Sequence, residues 1–302
     1  RVQKLEDPGA SGALRALAEG DATRIEDEYK TKELSKKDQA AADKQLEGDV
    51  GQGGEKPLSD VPDALVALFA APYLFGEPFV QAIAADGNAA IDKAFRDPPV
   101  SEEQVFDVLQ YLERDNPNDV AEVKPRKGDK VRDSGQLGIV TWYLLLAARI
   151  DPHDALAAAD GWGGDAYVQV DRKGTTCVDA RFKGDTPHDT DQMAAALDAW
   201  RKAMPTGPSV VRDGQLVELH ACDPGTKVNV TPKTSPLDAL SLPSVREYLV
   251  ADALSVFDPP VARCLANRVV TRLSIAVLAD PPPGFVERSL PKIIRAAREA
   301  CA

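Results

Sequence analysis

Hydrophobic periodicity changes once along this chain, and the change limits what it can fold into. Before Gly161 the apolar side chains recur at the three-and-four spacing of helices. After it they alternate one by one: Tyr167-Val168-Gln169-Val170, then Cys177-Val178-Asp179-Ala180-Arg181-Phe182, then Ser209-Val210-Val211-Arg212, then Gln215-Leu216-Val217-Glu218-Leu219-His220. Asp171-Arg172-Lys173-Gly174 and Asp213-Gly214 join these runs with turn chemistry, so they read as two hairpins. Asp189 to Met204 between the hairpins returns to helical spacing. The expected fold is α+β: mostly helical, with a small four-stranded antiparallel sheet in the middle third and a C-terminal helical unit. Residues 243–302 read as three helices, broken at Asp258-Pro259-Pro260 and Asp280-Pro281-Pro282-Pro283-Gly284, packed on a region of residues 1–242.

The helical stretches have their own punctuation. Residues 10–47 read as helix, with Leu14, Leu17, Ala18, Ile25 and Tyr29 on one face. The Gly48–Gly54 cluster that follows lacks a Lys-Ser/Thr and succeeds a helix rather than a strand, so it reads as a loop and not a phosphate cradle. Val61 to Ala85 divides into two helices at Ala71-Pro72. Ser101 opens another helix, with Gln104 at the capping-box position. Arg114 to Asp133 reads as a polar loop, and Ser134 opens an apolar helix through Ala148. The longest apolar run, Ile139 to Ala148, is too short to cross a bilayer.

The 36 basic and 48 acidic residues leave a net charge of −12, which disfavours nucleic-acid phosphates and anionic lipid as partners. The four cysteines are far apart and form no CxxC pair, which excludes a zinc knuckle or thioredoxin-like motif. An even count without a local motif reads as two disulfides in an exported protein. Cys177 and Cys222 lie on or beside strands, and Cys264 and Cys301 lie on two C-terminal helices; of the three possible pairings, Cys177–Cys222 and Cys264–Cys301 is expected. Each bridge would close a loop of about 40 residues and contribute on the order of 4 kcal/mol by the chain-entropy model.

None of the three histidines is four residues from another, so no His-Glu-x-x-His helix is present. His153 and His188 follow prolines at helix starts and read as turn residues, whereas His220 ends a strand and stays open. No Gly-x-Ser-x-Gly elbow occurs, and Asn229-Val230-Thr231 is a bare three-residue sequon. On a helix starting near residue 10, Glu19, Thr23 and Glu26 share one flank, while Asp21 falls on the apolar stripe and needs a partner.

The segment Ala16-Leu17-Ala18-Glu19-Gly20-Asp21-Ala22-Thr23 resembles the glutamate helix of gluzincin-type zinc metallopeptidases, in particular a largely uncharacterised group from actinobacteria and their relatives. Further blocks resemble the same group in the same order: Pro72 to Val80, Asp97 to Gln104, Gly135-Gln136-Leu137-Gly138 and Ala157 to Asp165. The resemblance implies that Glu19 is the third zinc ligand, with Asp21 and Thr23 around it, and that the metal activates water for peptide-bond attack. The His-Glu-x-x-His helix carrying the other two ligands and the general base is not in this chain. Gln136 stands where relatives would carry an acidic residue, and Asp107-Val108 replaces a histidine-containing segment. Two functions follow as expectations. One is the C-terminal portion of an exported zinc metallopeptidase-like protein, hydrolytically inactive as this chain. The other is a non-catalytic pseudo-peptidase that binds a protein or peptide partner or acts as a scaffold in the bacterial cell envelope. Both place the chain outside the cytoplasm, without nucleic acid and without a transmembrane segment of its own; any anchor would come from polypeptide beyond it.

Overall fold

The computed structural model describes residues 8–42, 44, 61–85, 87–205 and 207–301. The Gly48–Gly54 loop and the end of the 10–47 helix lie outside these residues.

Helices α1 (Pro8–Glu33) and α2 (Asp63–Ala84) form the first packed pair. Glycine sets how closely they approach: a Cβ at Gly20 would lie 2.1 Å from the Gly76 carbonyl oxygen, and one at Gly76 would lie 2.2 Å from that of Ala16. The buried face of α1 is therefore Ala13, Ala16, Leu17 and Gly20, whereas Ile25 and Tyr29 face solvent. The helix ends earlier than the sequence suggests, at Glu33. A second helical segment follows at residues 36–42, with Ser35 Oγ accepting from the Asp38 amide.

The expected break at Ala71-Pro72 does not occur, and α2 runs straight through Pro72 and Pro78. Pro78 has no N–H to give the Leu74 carbonyl. The Ser244 hydroxyl donates to that oxygen instead, at 3.2 Å, and burial of Ala71, Phe75, Phe79 and Val80 holds the helix in place. By length and composition α2 is able to cross a membrane, but half of its apolar window is buried inside this fold.

Three short helices follow: α3 (Asn88–Arg96), α4 (Glu103–Phe106) and α5 (Val108–Glu113). The sheet then begins earlier than expected. Strand β1 (Lys130–Gly135) lies at the end of what the sequence presents as a loop, and the apolar helix α6 starts at Gly138 (Gly138–Ala147), not at Ser134. Helix α7 (Pro152–Ala159) is capped by Asp151, which accepts from the His153 amide. Strands β2 (Trp162–Arg172) and β3 (Thr175–Gly184), helix α8 (Pro187–Ala203), and strands β4 (Ser209–Asp213) and β5 (Leu216–Cys222) complete the sheet. It has five antiparallel strands rather than four, in the order β1-β2-β3-β5-β4. The added strand escaped the periodicity because all six of its residues are exposed, so neither face selects apolar side chains. On the inner face Ala180, Phe182, Val217 and Leu219 join the main core, with Phe182 edge-on to Trp142 at 5.7 Å. On the outer face Val168, Val170 and Cys177 are covered by Val123, from the polar segment preceding β1.

The C-terminal region has five helices where the sequence suggests three: α9 (Pro236–Leu254), α10 (Pro259–Val270), α11 (Ile275–Ala279), α12 (Phe285–Arg288) and α13 (Leu290–Glu299). The expected boundary at 242/243 falls inside α9, whose Leu240, Leu242 and Val250 belong to the main core. A second, smaller core forms from Leu265, Val269, Leu273 and Ala297. Both disulfides are formed: Cys177–Cys222 between directly paired residues of β3 and β5, and Cys264–Cys301 between α10 and the residues after α13.

Candidate functional site

Glu19 lies at the surface of α1, one-third exposed. Its Oε1 is 3.6 Å from Arg15 Nε one turn earlier, and Arg15 in turn donates to the Tyr73 hydroxyl at 2.9 Å. Thr23 returns its hydroxyl to the Glu19 backbone carbonyl at 3.0 Å. Asp21 has the partner that its position demands, accepting from Arg24 Nε and Nη2 at 2.9 and 2.8 Å. Among the described residues no three His, Cys, Asp or Glu side chains converge in a way that holds a metal ion. One surface carboxylate does not fit a zinc ion, which needs about three protein ligands at a catalytic site.

The blocks that carry the family resemblance have structural tasks. Gly20 and Gly76 make the α1–α2 crossing. Gln104 accepts from the Val100 amide at 2.8 Å through its side chain, donates to the Asp115 carbonyl, and donates through its own backbone amide to the Ser101 hydroxyl at 3.4 Å, closing the turn before α4. Asp165, at the start of β2 and fully buried, accepts from the Leu137 and Gly138 amides and from Trp162 Nε1 at 2.7, 3.0 and 2.7 Å. It thus supplies the capping acceptor at the N-terminus of α6, linking Gly135–Gly138 to the Trp162–Asp165 block. Burial raises its pKa and these hydrogen bonds pull it back. Asp107 caps α5 through the Leu109 amide and faces Arg263 at 3.2 Å. Gln136 lines a small cavity beside Gly138 and Trp162.

The most perturbed groups lie elsewhere. Arg246 on α9 is buried. It binds both Asp160 oxygens at 2.6 Å, Glu247 Oε1 at 3.1 Å and the Phe106 carbonyl at 3.3 Å. Glu247 also accepts from the Val108 amide at 2.9 Å. This cluster ties α9 to α5 and to the end of α7. Burial drives the Asp160 and Glu247 carboxyls upward, and Arg246 opposes the rise in both. Near it Glu103 is 1% exposed, with Oε1 making no hydrogen bond. Burial, reinforced by Asp185, Asp115, Asp107 and Asp160, pushes its pKa up to about 10. Both features sit in packed interior without a cavity large enough for a substrate.

Open chemistry gathers on the outer face of the sheet. Asp179 on β3 and His220 on β5 are directly opposite, and Asp179 Oδ1 hydrogen-bonds His220 Nδ1. Arg172 of β2 donates to Asp179 Oδ2 at 2.8 Å and to Asp129 at 2.7 and 2.9 Å, and its Nη1 lies over the imidazole at 3.3–3.4 Å. Arg126 reaches Asp179 from the covering segment at 3.5 Å. A cavity of about 280 Å³ opens here, between Val123, Lys124 and Arg126 on one side and β4 on the other, with Asp179, Arg181, Glu218 and His220 as its floor. A second cavity, of about 320 Å³, lies on the other side of His220 beside Cys222. The remaining histidines do not join it: His153 is held by Asp151 and by the Val270 and Leu273 carbonyls, and His188 is exposed.

The sequence leaves His220 open and gives no role to Asp179. The alternation of β3, β4 and β5 is the signal that could have aligned them, because paired residues of adjacent strands share a face. Compared with family models, curated proteins and solved structures, the chain matches none of them.

Proposed function

We propose that this chain is a disulfide-stapled, gluzincin-like module that works outside the cytoplasm by binding a protein or peptide of the cell envelope, without zinc peptidase chemistry of its own. The carrying observation is the environment of Glu19: its nearest ionic partner is Arg15, and no second ligating side chain stands beside it among the described residues. The two disulfides fit an oxidising compartment. Elemental analysis of the purified chain, with a peptide-library cleavage assay, tests this reading. A metal-free, peptide-inert protein is the expected result. Zinc near one equivalent, together with cleavage, would overturn it.

One observation favours the fuller peptidase reading. Leu65, Phe69 and Tyr73 repeat every four residues on α2 and are 46%, 64% and 48% exposed, on the flank where Tyr73 meets Arg15. A further helix laid on this stripe would cover apolar surface and bring ligands toward Glu19. On this reading, a longer polypeptide containing His-Glu-x-x-His binds zinc and loses it on Glu19→Gln.

A further inference from the structure

The strand register places three residues of complementary chemistry in one row. Ser209 of β4 is directly opposite His220 of β5, and His220 is directly opposite Asp179 of β3. Directly opposed residues project to the same face. Here it is the outer face, since the intervening Val210, Leu219 and Ala180 pack into the main core. All three residues line the same 280 Å³ cavity. Asp179 engages Nδ1 of the imidazole, which leaves Nε2 on the far side of the ring. The other groups facing that nitrogen are Arg172 Nη1 at 3.4 Å and Cys222 Sγ at 3.6 Å. Among the described residues the Ser209 hydroxyl makes no hydrogen bond, to His220 included, and it faces the cavity beside the imidazole. Arg126, 60% exposed, and Lys124 face the same space from the covering segment.

We infer that Ser209, His220 and Asp179 form an acyl-transfer site for small carboxylic esters on the outer face of the sheet. The inference is independent of Glu19 and of zinc. Ser209 is the nucleophile, His220 the general base and Asp179 the positioning residue that orients the ring. Ser209 Oγ bonds to the acyl carbon as its proton passes to His220 Nε2. The ester C–O bond then breaks, and the departing alkoxide takes that proton and leaves as the alcohol. Water next attacks the acyl-serine, giving its proton through His220 back to Ser209 Oγ and releasing the acid. Negative charge on the tetrahedral oxygen would meet the Arg126 guanidinium, a cation already at the cavity wall. Val123 and Val211 supply apolar lining for a short acyl chain.

The test is treatment of the folded chain with a fluorophosphonate and mapping of the adduct by peptide mass, alongside hydrolysis of p-nitrophenyl acetate and butyrate. The expected result is one adduct, on Ser209, and ester turnover that falls at least tenfold in Ser209→Ala. Ser209 is exposed on an edge strand, so this variant leaves the fold intact, as circular dichroism will show. Asp179→Asn should lower kcat with little change in KM, a split that a merely structural role would not give. No adduct, an adduct elsewhere, or esterolysis that survives in Ser209→Ala while vanishing in His220→Ala would overturn the assignment; the last pattern is attack by bare imidazole.

Discussion

The α1–α2 crossing and the outer face of the sheet carry opposite kinds of information. The crossing holds the most recognisable sequence block, Ala16 to Thr23, and spends it on packing: Gly20 and Gly76 let two backbones touch, and Glu19 rests on Arg15 at the surface. The outer face is assembled from single residues of four separate segments, Arg126, Arg172, Asp179 and His220, and holds the densest polar network beside an open cavity. A continuous motif is easy to see even when its residues only pack. A site spread over several strands is hard to see even when its residues meet.

The contrast is sharpest at two adjacent residues. Gly20→Val places a Cβ against the Gly76 carbonyl, and that obstacle is backbone with no rotamer to yield. We expect a loss of about 4 kcal/mol or a failure to fold, read by thermal unfolding. A Gly20→Val protein as stable as the parent would mean that the two helices do not cross there.

Next in size is Arg246→Met, which leaves Asp160 and Glu247 without their cation in the interior. About 3 kcal/mol should be lost in chemical denaturation. A neutral outcome would show that water already reaches this cluster.

Glu103→Gln should act in the opposite direction. In the folded chain this carboxyl holds its proton up to about pH 10, whereas the unfolded chain releases it near the ordinary 4.5. Folding therefore takes up a proton at neutral pH, and the stability tied to this group is complete below about pH 4.5 and declines as pH rises toward 10. Glutamine removes that dependence. The variant should be more stable than the parent by about 1–2 kcal/mol at pH 8 and equal to it near pH 4. A gain that persists unchanged at pH 4 would assign the effect to packing.

The smallest effect belongs to the residue that the motif singles out. Glu19→Gln removes a long surface ion pair and should change stability by no more than about 0.5 kcal/mol. A larger loss would give Glu19 a partner that this structure does not show.

How much of this the sequence made legible follows from where each signal resides. β2, β3 and β5 are readable because each buries apolar side chains on the core side, and β4 because one of its faces is half-buried, so alternation survives in the side chains. β1 was not, since solvent lies on all its residues. The proline at 72 suggested a break that tertiary contacts override, with Ser244, 166 positions beyond Pro78, completing the helix at the second proline. The sequence pattern shows too few helices across α9–α13 because α11 and α12 are only five and four residues long, too short for periodicity to register. Element positions point to the two disulfides that form, since strand neighbours and helix neighbours leave few partners. The His220–Asp179 pair needed the strand register, which depends on how β5 returns between β3 and β4.

Our proposal for α1 is that it serves packing through Gly20, with Glu19 paired to Arg15. Calorimetric titration of zinc into the folded chain and into Glu19→Gln tests it most directly. The account predicts no saturable binding that separates the two proteins. A one-to-one site in the parent chain that disappears in Glu19→Gln would contradict it.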